Sequence, residues 1–167
     1  GLDARGLVLV DWSRDGRYIL YHTGGSGSPT GNDVWALPMV GERKPVALAQ
    51  SSFNEALGRF SPDARWVAYE SNESGRVDVY VTGFPEGGAK WRVSKAGGGQ
   101  PRWRGDGKEL FFLSPDNKLM AVPVSGHSPA PIPPDPAHEQ RVHRAARALG
   151  QGRRIRAVEP IRRNRLT

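Results

Sequence analysis

Three aspartates, Asp15, Asp63 and Asp106, recur along this 167-residue chain at steps of 48 and 43 residues. Regularly spaced carboxylates raise metal chelation as the first chemistry to weigh. Each sits in a tight turn between two apolar segments, so they fall one to a repeat, too far apart to share an ion. Their fitting role is turn stabilisation, because a short carboxylate accepts hydrogen bonds from the backbone two residues on. Asp33 and Asp78 open later apolar segments and read the same way. His22 is the one histidine before residue 125. It stands at a predicted strand end beside Thr23 and Gly24-Gly25-Ser26-Gly27. Catalysis there needs a base–nucleophile pair, and no Gly-x-Ser-x-Gly elbow occurs. His22 therefore reads as a surface or inter-sheet residue. The stretch Gly24 to Gly31 lacks the Gly-Lys-Ser/Thr ending of a phosphate loop and reads as a connection, as does Gly97-Gly98-Gly99. The kinase motifs for nucleotide, metal and catalytic aspartate are absent. No catalytic, cofactor-binding or metal-binding residue is assigned, and no cofactor is expected.

The elements that hold these residues come from a pattern written three times. Trp12-Ser13-Arg14-Asp15-Gly16-Arg17 returns as Phe60-Ser61-Pro62-Asp63-Ala64-Arg65 and again as Trp103-Arg104-Gly105-Asp106-Gly107-Lys108. An aromatic leads into a turn and an apolar strand follows. A period of about 40–50 residues marks a β-propeller blade or a comparable repeat array. Each unit divides into four strands. The first are Leu7 to Trp12, Ala56 to Phe60 and Pro101 to Trp103. The second are Arg17 to Thr23, Arg65 to Ser71 and Lys108 to Leu113. The third are Asp33 to Pro38, Asp78 to Gly83 and Lys118 to Pro123. The fourth are Pro45 to Leu48 and Lys90 to Ser94, with no clear counterpart in the third unit. The continuous apolar runs Tyr18-Ile19-Leu20-Tyr21 and Leu110-Phe111-Phe112-Leu113 imply strands covered on both faces. The fourth turn position requires a left-handed residue. Gly16 and Gly107 suit it; Ala64 is expected to be strained there.

The fold class read from the sequence is thus all-β, a partial propeller of about three four-stranded antiparallel blades, the last incomplete. It covers residues 1–124, with an irregular basic tail over 125–167. The wording of the repeat, an aromatic followed by Ser-Pro-Asp-Gly, a basic residue and an apolar strand, resembles the WD40-like (PD40) repeats of TolB-type propellers. Residues 56–124 resemble in particular the propeller at the C-terminal end of bacterial serine/threonine protein kinases. The pattern departs at Ala64, at Arg14 and Gly105, where the family often has proline, and wholly after Ser125.

Residues 1–124 hold 15 basic and 14 acidic side chains, whereas 125–167 hold nine arginines against three acids. The basic balance belongs to the tail, and the repeats give no electrostatic case for nucleic acid. The tail has five prolines between His127 and Pro136, then a possible helix over Pro136 to Leu149. It carries no aromatic for base stacking. A flexible end, a shifted reading frame near Ser125, and a basic arm for nucleic acid or anionic lipid all remain open. There are no cysteines, which excludes a disulfide framework. No apolar run approaches the ~18–20 residues of a membrane span.

A closed propeller needs at least about four blades, and the chain opens on Gly1. A fragment of a longer parent, or closure by oligomerisation, is expected. The function expected is a non-catalytic sensor or binding module that takes a protein or small ligand at a rim or the central channel. The kinase resemblance implies the C-terminal part of a receptor-type kinase and a periplasmic or extracytoplasmic location. The alternatives are the gating propeller of a prolyl-oligopeptidase-like serine peptidase and a free periplasmic TolB-like protein.

Overall fold

The computed structural model describes residues 6–24, 31–125 and 128–131. Every regular element among them is a strand. The first sheet is a meander of Leu7–Trp12 (β1), Tyr18–Thr23 (β2), Asp33–Pro38 (β3) and Val46–Ala49 (β4). The second comprises Glu55–Phe60 (β5), Trp66–Ser71 (β6), Asp78–Gly83 (β7) and Lys90–Arg92 (β8). The third comprises Gly99–Trp103 (β9), Glu109–Leu113 (β10), Leu119–Ser125 (β11) and Ser128–Pro131 (β12). All pairings are antiparallel and follow chain order. Trp12, Phe60 and Trp103 are equivalent, facing Ile19, Val67 and Leu110 in their registers.

The strand β12 corrects the reading that left the third unit without a fourth strand. It pairs with β11 at Val124↔Pro131 and Ser125↔Ser128, with a register shift between them. Two of its four residues are prolines, which donate nothing to a ladder and are tolerated only on an edge strand. That composition hides it from a strand pattern. What the sequence implies beyond Pro131 lies outside the described residues.

The hairpin turns form as their residues dictate. The Ser13 hydroxyl donates to Asp15 Oδ1 at 2.6 Å and accepts from Tyr18 N at 2.9 Å, while Arg17 N donates to Asp15 Oδ1 at 3.0 Å. Ser61 and Asp63 repeat this with Trp66 and Arg65. In the third unit Arg104 replaces the serine, and Asp106 keeps only the backbone half, accepting from Lys108 N. Arg104 instead pairs with Glu109 and Asp106. Ala64 is left-handed at φ 52°, as the turn requires, beside 72° at Gly16 and 74° at Gly107.

The sheets pack face to face. Leu20, Val34 and Ala36 of the first meet Phe60, Val67 and Tyr69 of the second. Ala68, Val79 and Val81 on the opposite face of the second meet Leu110 and Phe112 of the third. Burying each such large apolar side chain is worth about 1.5–3 kcal/mol. The second sheet is covered on both faces: Val67, Ala68 and Tyr69 in succession are buried, whereas in the third sheet Phe111 and Leu113 are half-exposed.

A bulge repeats in the innermost strands. Residues 57 and 58 oppose Tyr69 alone, and residues 100 and 101 oppose Phe112 alone. The first residue of each pair, Leu57 at φ 52° and Gln100 at φ 55°, is left-handed without being glycine. Such residues cost of order 1 kcal/mol or more and persist where surroundings over-determine them. At Gly58 a side chain would stand 3.1 Å from Val34 Cγ1, so the bulge also brings β5 close against the first sheet.

Candidate functional site

The residues singled out for chemistry do not converge. Asp15, Asp63 and Asp106 each serve their own turn. Among the described residues no three His, Cys, Asp or Glu side chains come together as metal ligands. His22 is half-buried between Val8 and Val34 in its sheet register. Burial pushes its imidazole below the ordinary value, and Nδ1 has no partner among the described residues. Such a group stays neutral near pH 7. Residues 25–30 of the first glycine-rich stretch lie outside the described residues.

Gly97-Gly98-Gly99 does more than connect. A side chain at Gly97 would meet Pro115 Cγ at 2.8 Å, one at Gly98 would meet Phe112 Cδ2 at 2.6 Å, and one at Gly99 would meet Glu70 Oε1 at 2.6 Å. The three glycines let the link to β9 lie flat on its neighbours. Beside them opens a cleft of about 420 Å³ bordered by Glu70, Arg76, Gln100, Ser114 and Asn117. Its rim is a second Ser-Pro-Asp turn, Ser114-Pro115-Asp116-Asn117, with Ser114 Oγ donating to Asp116 Oδ1 at 2.6 Å and Asn117 left-handed at φ 59°.

A second cleft, of about 190 Å³, forms where the inner strands of all three sheets run into their hairpin turns. The residue just before each aromatic lines it: Asp11, Arg59 and Arg102. Trp12, Phe60 and Trp103 stand beside them, and Arg14 and Pro62 close the turn side. Cross-sheet bonds fix this array. Phe60 N donates to Asp11 Oδ2 at 2.8 Å, and Trp103 Nε1 donates to Arg59 O at 3.0 Å. Arg59 Nη1 donates to Gly58 O at 2.8 Å and to Val10 O of the first sheet. Arg102 Nη1 donates to Pro101 O at 2.8 Å, and Arg14 Nη1 crosses from the first turn to Gly105 O of the third at 3.0 Å. Arg14 and Gly105, the two positions that depart from the proline of the repeat pattern, thus bond each other.

The electrostatics of this cleft are one-sided. Three guanidiniums face one carboxylate, and that carboxylate already accepts a backbone bond. Burial lowers the Arg59 pKa and the like charge of Arg102 lowers it further, against the opposing pull of Asp11 and Glu70. Arginine remains charged regardless. Sequence reasoning missed this cleft because the repeat was read from the aromatic onward, one residue too late.

These features define a class, an antiparallel blade array of the β-propeller type, and the comparisons narrow it. The chain is similar to a structure described as a TolB from Agrobacterium tumefaciens, at 18% identity and a TM-score of 0.59, over 72% of this chain and 46% of that one. It is similar to TolB from Acinetobacter baumannii at 17% identity and 0.55, over 72% and 30%. It is also similar to the β-propeller domain of the Trilobed protease from Pyrococcus furiosus, described as having an open velcro topology, at 15% identity and 0.54, over 76% and 41%. The fold is that of a TolB-like propeller, and the chain spans less than half the length of each of these structures. No protein-family model matches it. No curated protein matches it.

Proposed function

We propose that this chain is a non-catalytic binding module, a propeller arc that presents ligand-contacting residues on the turn-side ends of its inner strands. The observation that carries the reading is the alignment of Asp11, Arg59 and Arg102 from three successive sheets on one cleft. A rigid scaffold that places polar side chains together at its loop ends is the usual setting for recognition. The arc belongs to a longer propeller, in the C-terminal sensor region of a receptor-type kinase, outside the cytoplasm. Its half-exposed outer faces and exposed Leu9 and Trp12 on β1 support further blades beside it. The propeller part runs on past residue 124 to take in β12, and the basic stretch that follows takes no share in recognition.

A second reading, the gating propeller of a peptidase, is favoured by the likeness to the Pyrococcus protease propeller. Sequencing the parent gene on both sides separates the two. Kinase motifs and a membrane span upstream are the expected result. A Gly-x-Ser-x-Gly hydrolase downstream gives the peptidase reading. A signal peptide with neither gives a free envelope protein.

A further inference from the structure

We infer that the cleft between Arg14, Arg59 and Arg102 is an anion subsite that takes an acidic side chain or the terminal carboxylate of a peptide; this rests on the binding-module reading above.

An excess of positive charge is the first support. Among the described residues none of the three arginines lies within ion-pair distance of a carboxylate, although Arg76, Lys90, Arg92, Arg104 and Lys118 all do. Two neighbouring guanidiniums repel, and an anion seated between them removes that repulsion. Preorganisation is the second. A guanidinium has five N–H donors in a fixed fork. Each of the three uses Nη1 on a backbone carbonyl, which fixes its direction while Nη2 and Nε make no bond to the described residues. That is the arrangement for forked recognition of a two-oxygen group. Size is the third. A volume of about 190 Å³ lies below the roughly 300–1,000 Å³ of sites for whole small molecules. It suits one end group on a chain that continues outside. The exposed face of Trp12 and the ring of Trp103 give that chain apolar surface to lie on. A carboxylate and a phosphoryl ester share this chemistry, and both reach the cleft on a peptide. A nucleic acid needs a tracked groove with stacking platforms for successive bases, which one small cleft does not supply.

The test uses the whole 167-residue chain, so that the basic tail is common to every comparison. Fluorescein-labelled hexaglutamate, hexaglutamine, a phosphoserine pentapeptide and a 12-nucleotide single strand are titrated by anisotropy at low salt. The indole N–H resonance of Trp103, bonded to the Arg59 carbonyl, reports on the cleft itself. Hexaglutamate is expected to bind at least tenfold tighter than hexaglutamine and to shift that resonance. Arg102→Gln is expected to weaken binding about tenfold, and Arg59→Gln with Arg102→Gln to abolish the Trp103 shift. Arg59→Lys, which keeps the charge but not the fork, is expected to lie between. Lys44→Gln, on an exposed residue between β3 and β4, is expected to change nothing. A stronger response to the phosphoserine peptide that is lost in Arg102→Gln assigns the same subsite to phosphoryl groups. Equal weakening by Lys44→Gln, equal binding of hexaglutamine, or tighter binding of the oligonucleotide overturns the inference. So does an unmoved Trp103 resonance in the folded chain. None of these outcomes alters what flanks the propeller in its gene, so the broader reading stands or falls separately.

Discussion

The two joints between sheets solve one problem in opposite ways. At the joint of the second and third sheets, Asp78 is fully buried and fully answered. It accepts from Ser74 Oγ and Ser94 Oγ at 2.6 Å each and from Gly97 N at 3.0 Å, with Arg76 at 3.5 Å. At the joint of the first and second sheets, Glu55 is just as buried, at 2% exposure. It accepts from Ser51 Oγ at 2.6 Å and weakly from Ser71 Oγ, but Oε2 has no partner among the described residues, and Asp33 lies near enough to repel it. Burial alone pushes both carboxyls up. At Asp78 the two hydroxyls and the Gly97 N–H outweigh it and hold the group below its ordinary 3.8; at Glu55 burial wins and the group lies above its ordinary 4.5. A buried carboxylate is therefore a fastener or a liability according to how many donors meet it.

The largest test of this contrast is Asp78→Ala. It leaves two hydroxyls and a backbone N–H facing a void, and is expected to destabilise the chain by about 3 kcal/mol in urea unfolding. A loss below about 1 kcal/mol, the scale of a single ordinary hydrogen bond, breaks the comparison. Gly98→Ala comes next, because the added methyl would stand 2.6 Å from Phe112 Cδ2 in the same joint. Overpacking a buried ring is expected to cost about 2 kcal/mol, read as a lowered denaturation midpoint.

Glu55→Gln should act in the opposite direction. It removes a carboxyl that burial makes costly to ionise, and is expected to stabilise the chain at pH 7, read as a raised midpoint of urea unfolding. The pH dependence has a matching sign. The raised Glu55 contributes stability that is complete below 4.5 and is lost as pH rises through its folded value. The lowered Asp78 contributes above 3.8 and is lost as pH falls through its folded value. Melting temperatures recorded from neutral pH down to 4.5, the ordinary glutamate value, should show a Glu55 contribution that rises on acidification and disappears in Glu55→Gln.

The smallest effect lies away from both joints. Ala64→Gly relieves a left-handed alanine and is expected to stabilise by up to ~1 kcal/mol, less the entropy glycine adds to the unfolded chain. Lying in a hairpin turn, it should add to Asp78→Ala or Glu55→Gln within about 0.5 kcal/mol. Non-additivity would mean that turn and joint communicate.

Local chemistry was legible in the sequence; tertiary placement was not. Ser61-Pro62-Asp63 specifies its turn with its own atoms, so the repeat, the strand order and the strain at Ala64 could be read before any packing was known. The same wording at Ser114-Pro115-Asp116-Asn117 carries an equal signal, but it stands between the second and third strands of its unit and not at the head of a repeat. Leu57 and Gln100 gave none, because neither residue type favours a left-handed backbone; the bulge is imposed by how the inner strand meets its neighbour. The arginine cleft was hidden for a similar reason. Arg59 and Arg102 are far apart in the chain and become neighbours only once the sheets stack. The orphaned edge of Glu55 is equally a property of the joint.

The bond from Arg14 to Gly105 has a mechanical meaning. It runs from the first turn to the third, so it spans an arc of three turns. A chord of set length fixes curvature, and curvature governs how many blades close a circle. Flattening the arc lengthens the chord, and a hydrogen bond at 3.0 Å has little length to give. This one exposed guanidinium therefore sits where any straightening of the three-turn arc would part it from Gly105.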